Sequence, residues 1–391
     1  MKRITIATAI IMLLAFSMLT VHRIGTVEQK PAMGFDVSLT SGNPWYDWRM
    51  FHHDAQRTGR AEANGIITVS PLWTYPPLSQ PPIGAIWGSP TVSDDGTIYF
   101  GSADNWYDDP FLYAVNPWGT LKWRFPTTAN GDITSSPALS GPLSRYPGRV
   151  YIGTHEQNPA LPNFFAVDAT GSEIWHLQVP QGNPSPIGCR HGRSYPLVVT
   201  DPANGEPVIY VGAADGYLYC IRDHGGNGEV VWGTQLQPLD TFYGFYSSPA
   251  MSPVGPLGVL WTIYCGGIET NIADLYYNWG KLFALDPHNG DIEWSIVLTD
   301  APGNYVAAPS VEIVDGVETI FVGTQDCQLR AVEVIAGTPI VAAGNYETTP
   351  SAISSCPAIY DLNGDRKVEA IFGDWGGNVH AVTYDPSLLQ G

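Results

Sequence analysis

Residues 281–294 read Lys281-Leu282-Phe283-Ala284-Leu285-Asp286-Pro287-His288-Asn289-Gly290-Asp291-Ile292-Glu293-Trp294. A β-rich run ending in Ala-x-Asp enters a Pro-His-Asn-Gly turn, and a second β-rich run places Trp four residues after the glycine. This predicts two antiparallel strands joined at Gly290, which supplies the positive φ such a turn needs. Working back along the same unit, Ser248–Pro253 predicts a short inner strand A and 259–265 a strand B. Lys281–Asp286 then serves as strand C and Ile292–Ile296 as the outer strand D.

The phrase recurs. It stands as Ala114-x-Asn116 with Gly119 and Trp123, and as Ala166-x-Asp168 with Gly171 and Trp175. A third copy keeps Gly228 and Trp232 but has Cys220 for the alanine, and a fifth keeps Ala331 and Gly337 with Val341 for the tryptophan. Each unit opens on a residue followed by proline, at Pro90, Pro137, Pro196, Pro249, Pro309 and Pro357, spaced 47, 59, 53, 60 and 48 residues apart. That period suits the four-stranded blades of a β-propeller. The sixth unit ends after Ala381 and Asp385 without a strand D, whereas Leu72-Trp73-Thr74-Tyr75 reads as a strand D with nothing before it. The expected fold is therefore all-β, a six-bladed propeller of four-stranded antiparallel blades closed by the amino-terminal strand, which removes the open edges of the array.

These units resemble the repeat of the pyrroloquinoline-quinone-type propellers, whose docking pattern is Ala-x-Asp-x-x-Gly-x-x-x-Trp, over about four-fifths of the chain. Quinone-dependent dehydrogenases of that family have eight blades, an adjacent Cys-Cys pair and a calcium ion beside the quinone. No two cysteines are adjacent here and the chain is short for eight blades, so pyrroloquinoline quinone is not an expected cofactor. The resemblance implies an exported, non-catalytic member. The stretch 48–59, Trp48 to Gly59, looks like the lead-in before the first blade of exported propellers. His52, His53 and Asp54 in it are expected to serve a packed strap rather than a metal, having no third distant ligand in view.

The chain divides into 1–24, a signal peptide or an uncleaved amino-terminal anchor (Lys2 and Arg3 before the apolar run Ile4–Leu19), a lead-in of 25–70, and the propeller of 71–391. The expected location is exported, whether periplasmic, cell-surface or extracellular, with any membrane contact made through that anchor. With 18 basic against 37 acidic residues and a net charge of −19, the surface repels phosphate backbones, and nucleic acid is not an expected partner.

Loops B–C and D–A leave a blade on the same side, where irregular insertions gather. Trp106, Tyr107, His155, Arg190, His191, Arg193, Tyr243, Tyr246, Tyr277, Trp279 and Trp375 are the expected ligand-contacting residues, for a partner protein, a carbohydrate or another polar small molecule. The alternative is an enzyme, either a quinone-type oxidoreductase or a carbohydrate-active hydrolase or lyase at the funnel mouth. Cys327 and Cys356 fall on that same side of neighbouring blades and are expected to form a disulfide, while Cys220 and Cys265 occupy positions of buried apolar fillers. On the opposite side, Asp361, Asn363, Asp365, Lys367 (through its carbonyl) and Glu369 have the 1-3-5-7-9 spacing of a calcium loop. They resemble the FG-GAP repeat loop, with Arg366 where that family has glycine. A structural calcium ion is the expected cofactor.

Overall fold

The computed structural model describes residues 48–60, 72–103, 110–127, 131–155, 158, 161–179, 194–237, 247–252, 262–270, 278–299, 304–342, 346–347 and 351–385. All belong to one unit, Gly34–Gly391. The strands form six antiparallel sheets, each a meander in chain order. Sheet one holds β1 (Thr91–Val92), β2 (Ile98–Gly101), β3 (Phe111–Val115) and β4 (Leu121–Pro126). Sheet two holds β5 (Ala138–Leu139), β6 (Val150–Gly153), β7 (Phe164–Val167) and β8 (Glu173–Leu177). Sheet three holds β9 (Leu197–Thr200), β10 (Pro207–Gly212), β11 (Tyr217–Asp223) and β12 (Gly228–Gln235). Sheet four holds β13 (Ala250–Met251), β14 (Ile263–Thr270), β15 (Asn278–Leu285) and β16 (Ile292–Val297). Sheet five holds β17 (Ser310–Val314), β18 (Val317–Gly323), β19 (Gln328–Ile335) and β20 (Thr338–Val341), with β21 (Tyr346–Glu347) also pairing β19. Sheet six has three strands, β22 (Ala358–Tyr360), β23 (Val368–Gly373) and β24 (Val379–Tyr384).

The repeated residues earn their places by packing. In sheets one to four the aromatic of strand B, the small residue of strand C and the tryptophan of strand D stand side by side, as in Tyr99, Ala114 and Trp123 or Tyr264, Ala284 and Trp294. The small residue is fully buried because large rings flank it on both sides. Trp123 then reaches the next sheet, donating from Nε1 to the Ala169 carbonyl at 2.9 Å and lying flat on Gly171, where a Cβ would stand 2.7 Å from the ring. Trp232 repeats this on the Pro287 carbonyl and Gly290. Trp175 instead donates to the buried carboxylate of Asp223, which also accepts from Arg149 and Tyr151. Gly119, Gly171 and Gly290 are thus each required twice, for a positive φ and for the indole above.

Serines beside the unit-opening prolines knit the inner strands. Ser194, Ser247 and Ser355 each accept from the strand-B glycine of their own sheet, Gly212, Gly266 and Gly373. Ser136 and Ser248 accept the backbone N–H of Ser89 and Tyr195 in the preceding sheet.

Two expectations need correcting. Residues 72–75 carry no strand and do not pair with β24, so sheet six lacks a fourth strand among the described residues. Trp73 nevertheless behaves as the docking tryptophan of a strand D. Its Nε1 donates to the Pro117 carbonyl at 2.8 Å, and a Cβ on Gly119 would stand 2.5 Å from its ring. The second correction concerns sheet four, where β14 and β15 extend to the pair Thr270 and Asn278, well past the expected ends. Gly266, Gly267 and Gly280 admit the backbones of residues 306, 236 and 304 at close range within this hairpin.

Candidate functional site

The lead-in builds the centre. Residues 48–58 run past the free inner edges of the innermost strands and bond to them in order. The carbonyls of Trp48, Arg49, Ala55, Gln56 and Thr58 accept from the N–H groups of Val92, Leu139, Met251, Val311 and Ile359, which lie in sheets one, two, four, five and six. Sheet three is reached by Arg57, whose guanidinium donates to the carbonyls of Tyr195 and Pro196 ahead of β9, and also to Pro249 and Phe51. Arg57 is completely buried, and burial pulls its pKa down to about 10, which leaves it a cation at neutral pH. Four hydrogen bonds to carbonyls meet the polarity of the guanidinium, the arrangement that makes a buried charge tolerable. His52 turns Nδ1 to the Arg57 carbonyl at 3.2 Å, and burial, then the Arg57 charge, hold it down to about 4. Asp54 caps the Thr58 backbone and hydroxyl. The His-His-Asp run is therefore spent on the strap's own turn.

On the side of the B–C and D–A loops, the described part of the expected surface centres on sheet six. The turn from β23 to β24 presents Trp375, two-thirds exposed, held by its N–H on the Ala352 carbonyl and its Nε1 on Ser354 Oγ at 2.7 Å. Beside it the Asp374 carboxylate, with its side chain only 1% exposed, accepts from the backbone and side-chain N–H groups of Asn378 and lies 2.9 Å from His380 Nε2. The Asn378 backbone N–H, then His380, lower its pKa to about 2, so it is a fixed anion. The His380 ring stacks on Phe372 with centroids 5.0 Å apart, and Nδ1 lies 3.3 Å from the hydroxyl of Tyr346, contributed by β21.

Of the expected ligand-contacting residues, Trp106, Tyr107, Arg190, His191, Arg193, Tyr243, Tyr246 and Tyr277 lie outside the described residues. His155 is half-buried at the end of β6, its N–H on the Asp132 carbonyl. Trp279 stands in β15 opposite Glu269 rather than in a loop. Among the described ones, Trp375 alone stands exposed on a turn between strands. Asp374 and His380 could have been found from the hairpin pattern, since a tight B–C turn sets strand ends side by side; Tyr346 carried no such signal. A cavity of about 410 Å³ lies on the other side, between sheets one and two, lined by Arg49, Asp94, Tyr99, Leu139 and Pro142.

The cysteines depart from expectation. Cys327 and Cys356 are not joined in a disulfide. Cys356 is buried against Ser310 and the Pro309 carbonyl at the centre, whereas Cys327 turns to the Gln325 carbonyl of its own hairpin. Cys220 and Cys265 are buried fillers; burial pushes the Cys265 thiol up to about 12. Cys189 lies outside the described residues.

In the loop 361–369 the oxygens turn to the loop itself. Asp361 accepts from the N–H groups of Gly364 and Arg366, Asn363 from Asp365, Asp365 from Lys367, and Glu369 from Leu362 and Thr383. Among the described residues no three carboxylate, histidine or cysteine side chains gather as a metal-holding set.

Comparison with known proteins agrees with this architecture. Solved structures similar in fold include the quinohemoprotein alcohol dehydrogenase of Comamonas testosteroni (TM-score 0.51, 16% identity, 74% of this chain and 56% of that one). A europium-containing methanol dehydrogenase matches with TM-score 0.52 and 14% identity over 75% of this chain and 66% of that one. Sqt1 of Saccharomyces cerevisiae matches with TM-score 0.51 and 11% identity over 74% and 68%. At such identities the likeness shows the fold alone. A curated relative, the beta-alanine-activating enzyme of Homo sapiens, is 27% identical over 137 residues, 35% of this chain, and the match spans a tenth of that protein's length. The family model described as outer membrane protein assembly factor BamB matches residues 165–389, more than half of the chain, and with the repeated Ala-x-Asp, glycine and tryptophan docking it makes this protein a member of the PQQ-like β-propeller repeat family.

Proposed function

We propose that the chain is an exported scaffold, a six-bladed ring closed on sheet one by the docking of Trp73, that recognises a partner protein or polar ligand through its B–C and D–A loop surface. The observation that carries this reading is the strap. By bonding the inner edge of five sheets directly and the sixth through Arg57, it fills with the chain's own atoms the place where an axial guest would sit. Recognition is left to the outer surfaces, and Trp375 is held rigidly upright on one of them. Trp73 on Gly119 supports the closure, because it joins the amino-terminal segment to sheet one as Trp123 joins sheet one to sheet two.

Two measurements on the intact protein test this. Titration with pyrroloquinoline quinone and calcium, followed by tryptophan fluorescence, should show no saturable change. Affinity capture from envelope extracts of the source cells should recover a partner with the parent that is depleted with Trp375→Ala. Stoichiometric quinone binding accompanied by alcohol oxidation would replace the scaffold by an oxidoreductase.

A further inference from the structure

We propose that Asp374, His380 and Tyr346 form a nucleophilic site in which the Tyr346 hydroxyl attacks ester-type acyl donors. The inference does not depend on the scaffold reading. Its basis is the order of three groups on one line of hydrogen bonds. A carboxylate accepts only, so the His380 nitrogen 2.9 Å from Asp374 carries the proton, and in the uncharged ring Nδ1 is left with a lone pair. That lone pair lies 3.3 Å from the Tyr346 oxygen. Nucleophile within reach of a base, and base oriented by a third group, is the arrangement that activates a hydroxyl.

The setting keeps each member in role. Asp374 is shielded from water and pinned by Asn378, so its charge stays beside the imidazole. His380 is fixed in plane by the Phe372 ring at 5.0 Å and the Tyr346 ring edge-on at 5.6 Å. Tyr346 is 38% exposed, so its oxygen meets solvent at the rim. In the step, the phenolic oxygen forms a bond to the ester carbonyl carbon while its proton passes to His380 Nδ1, and Asp374 balances the imidazolium. Collapse of the tetrahedral adduct breaks the bond to the leaving oxygen, which takes that proton from Nδ1. The products are O-acyl-Tyr346 and an alcohol, with the imidazole neutral again.

The test is labelling of the folded protein with p-nitrophenyl acetate, with acetylation rates at individual tyrosines read by peptide mass spectrometry. Tyr360 is the internal reference, being more exposed at 49% and bonded to no histidine. Tyr346 is expected to acetylate at least tenfold faster than Tyr360 in the parent. In His380→Phe, which keeps a ring stacked on Phe372, it should fall to the Tyr360 rate. Equal rates in the parent, or an advantage that survives His380→Phe, would overturn the proposal. Should that variant not fold, the parent's pH profile decides. Assisted attack levels off below pH 9, while an unassisted phenol keeps rising tenfold per pH unit toward its ionisation near 10, and that outcome also overturns it.

Discussion

Replacing Trp73 by alanine tests whether the amino-terminal segment seals the array. The side chain is 37% exposed, so roughly 150 Å² of an indole near 250 Å² is removed from water. At about 25 cal/mol per Å² this burial contributes about 4 kcal/mol, of which an alanine methyl retains about 1. Loss of the Nε1 bond to the Pro117 carbonyl adds about 1 kcal/mol, for a total near 4. With an unfolding entropy of about 2.1 cal/mol/K per residue over roughly 300 ordered residues, the melting temperature should fall by about 6 °C. Trp123→Ala, which removes the equivalent contact on Gly171, should cost a similar amount. Trp118→Ala, in the turn beside Gly119 but 68% exposed, should shift it by only about 2 °C on the same arithmetic. Differential scanning calorimetry reads all three, and hydrogen exchange at the 116–119 turn should rise in Trp73→Ala. A Trp73→Ala protein that melts with the parent and protects that turn equally would refute the sealing role.

Other consequences are simpler to state. His52 is held neutral in the folded strap at about 4 against 6.5 when unfolded, so it costs nothing above pH 6.5. As pH falls the unfolded state gains the proton first, and about 3 kcal/mol of stability is lost by pH 4; His52→Asn, which keeps a donor for the Arg57 carbonyl, should flatten that acid limb in urea unfolding. Native protein should show Cys327 reacting with Ellman's reagent while Cys220, Cys265 and Cys356 wait for denaturant, and a Cys327–Cys356 disulfide in oxidised material would contradict the packing of Cys356 on Ser310. Chelator should leave the melting temperature unchanged, and Asp361→Ala should lower it slightly by freeing the N–H groups of Gly364 and Arg366; chelator sensitivity present in the parent and absent in Asp361→Ala would return calcium to this loop.

The propeller repeat was legible because its signals are local. Ala284, Gly290 and Trp294 keep their spacing since one strand pair and one turn fix all three, and the rings of Trp73, Trp123, Trp175 and Trp232 each lie on a glycine of the following sheet. Trp375 could be read as a rim aromatic for the same reason. Arg57 could not be read as the hub, because its partners Tyr195, Pro196 and Pro249 are backbone carbonyls 138, 139 and 192 residues away, and a carbonyl has no sequence signature. Tyr346 was hidden likewise, since nothing local ties a two-residue strand to a histidine in the next sheet. The loop at 361–369 is a pattern that two structures satisfy. Its spacing is right for an ion, but Asx side chains satisfy the same turn with its own amides.

The strap also constrains the order of events in folding. Trp48 meets its partner Val92 44 residues later, but Thr58 must wait 301 residues for Ile359. In a chain made from its amino end, the segment that covers the inner strands emerges first and finds its last partner only when the sixth unit exists. Until then it is an unpaired ribbon and the inner strands behind it are open to pairing elsewhere. Contacts of such sequence separation fold slowly and leave aggregation-prone intermediates, so the interval between synthesis of the strap and arrival of Ile359 is when this protein most needs a chaperone.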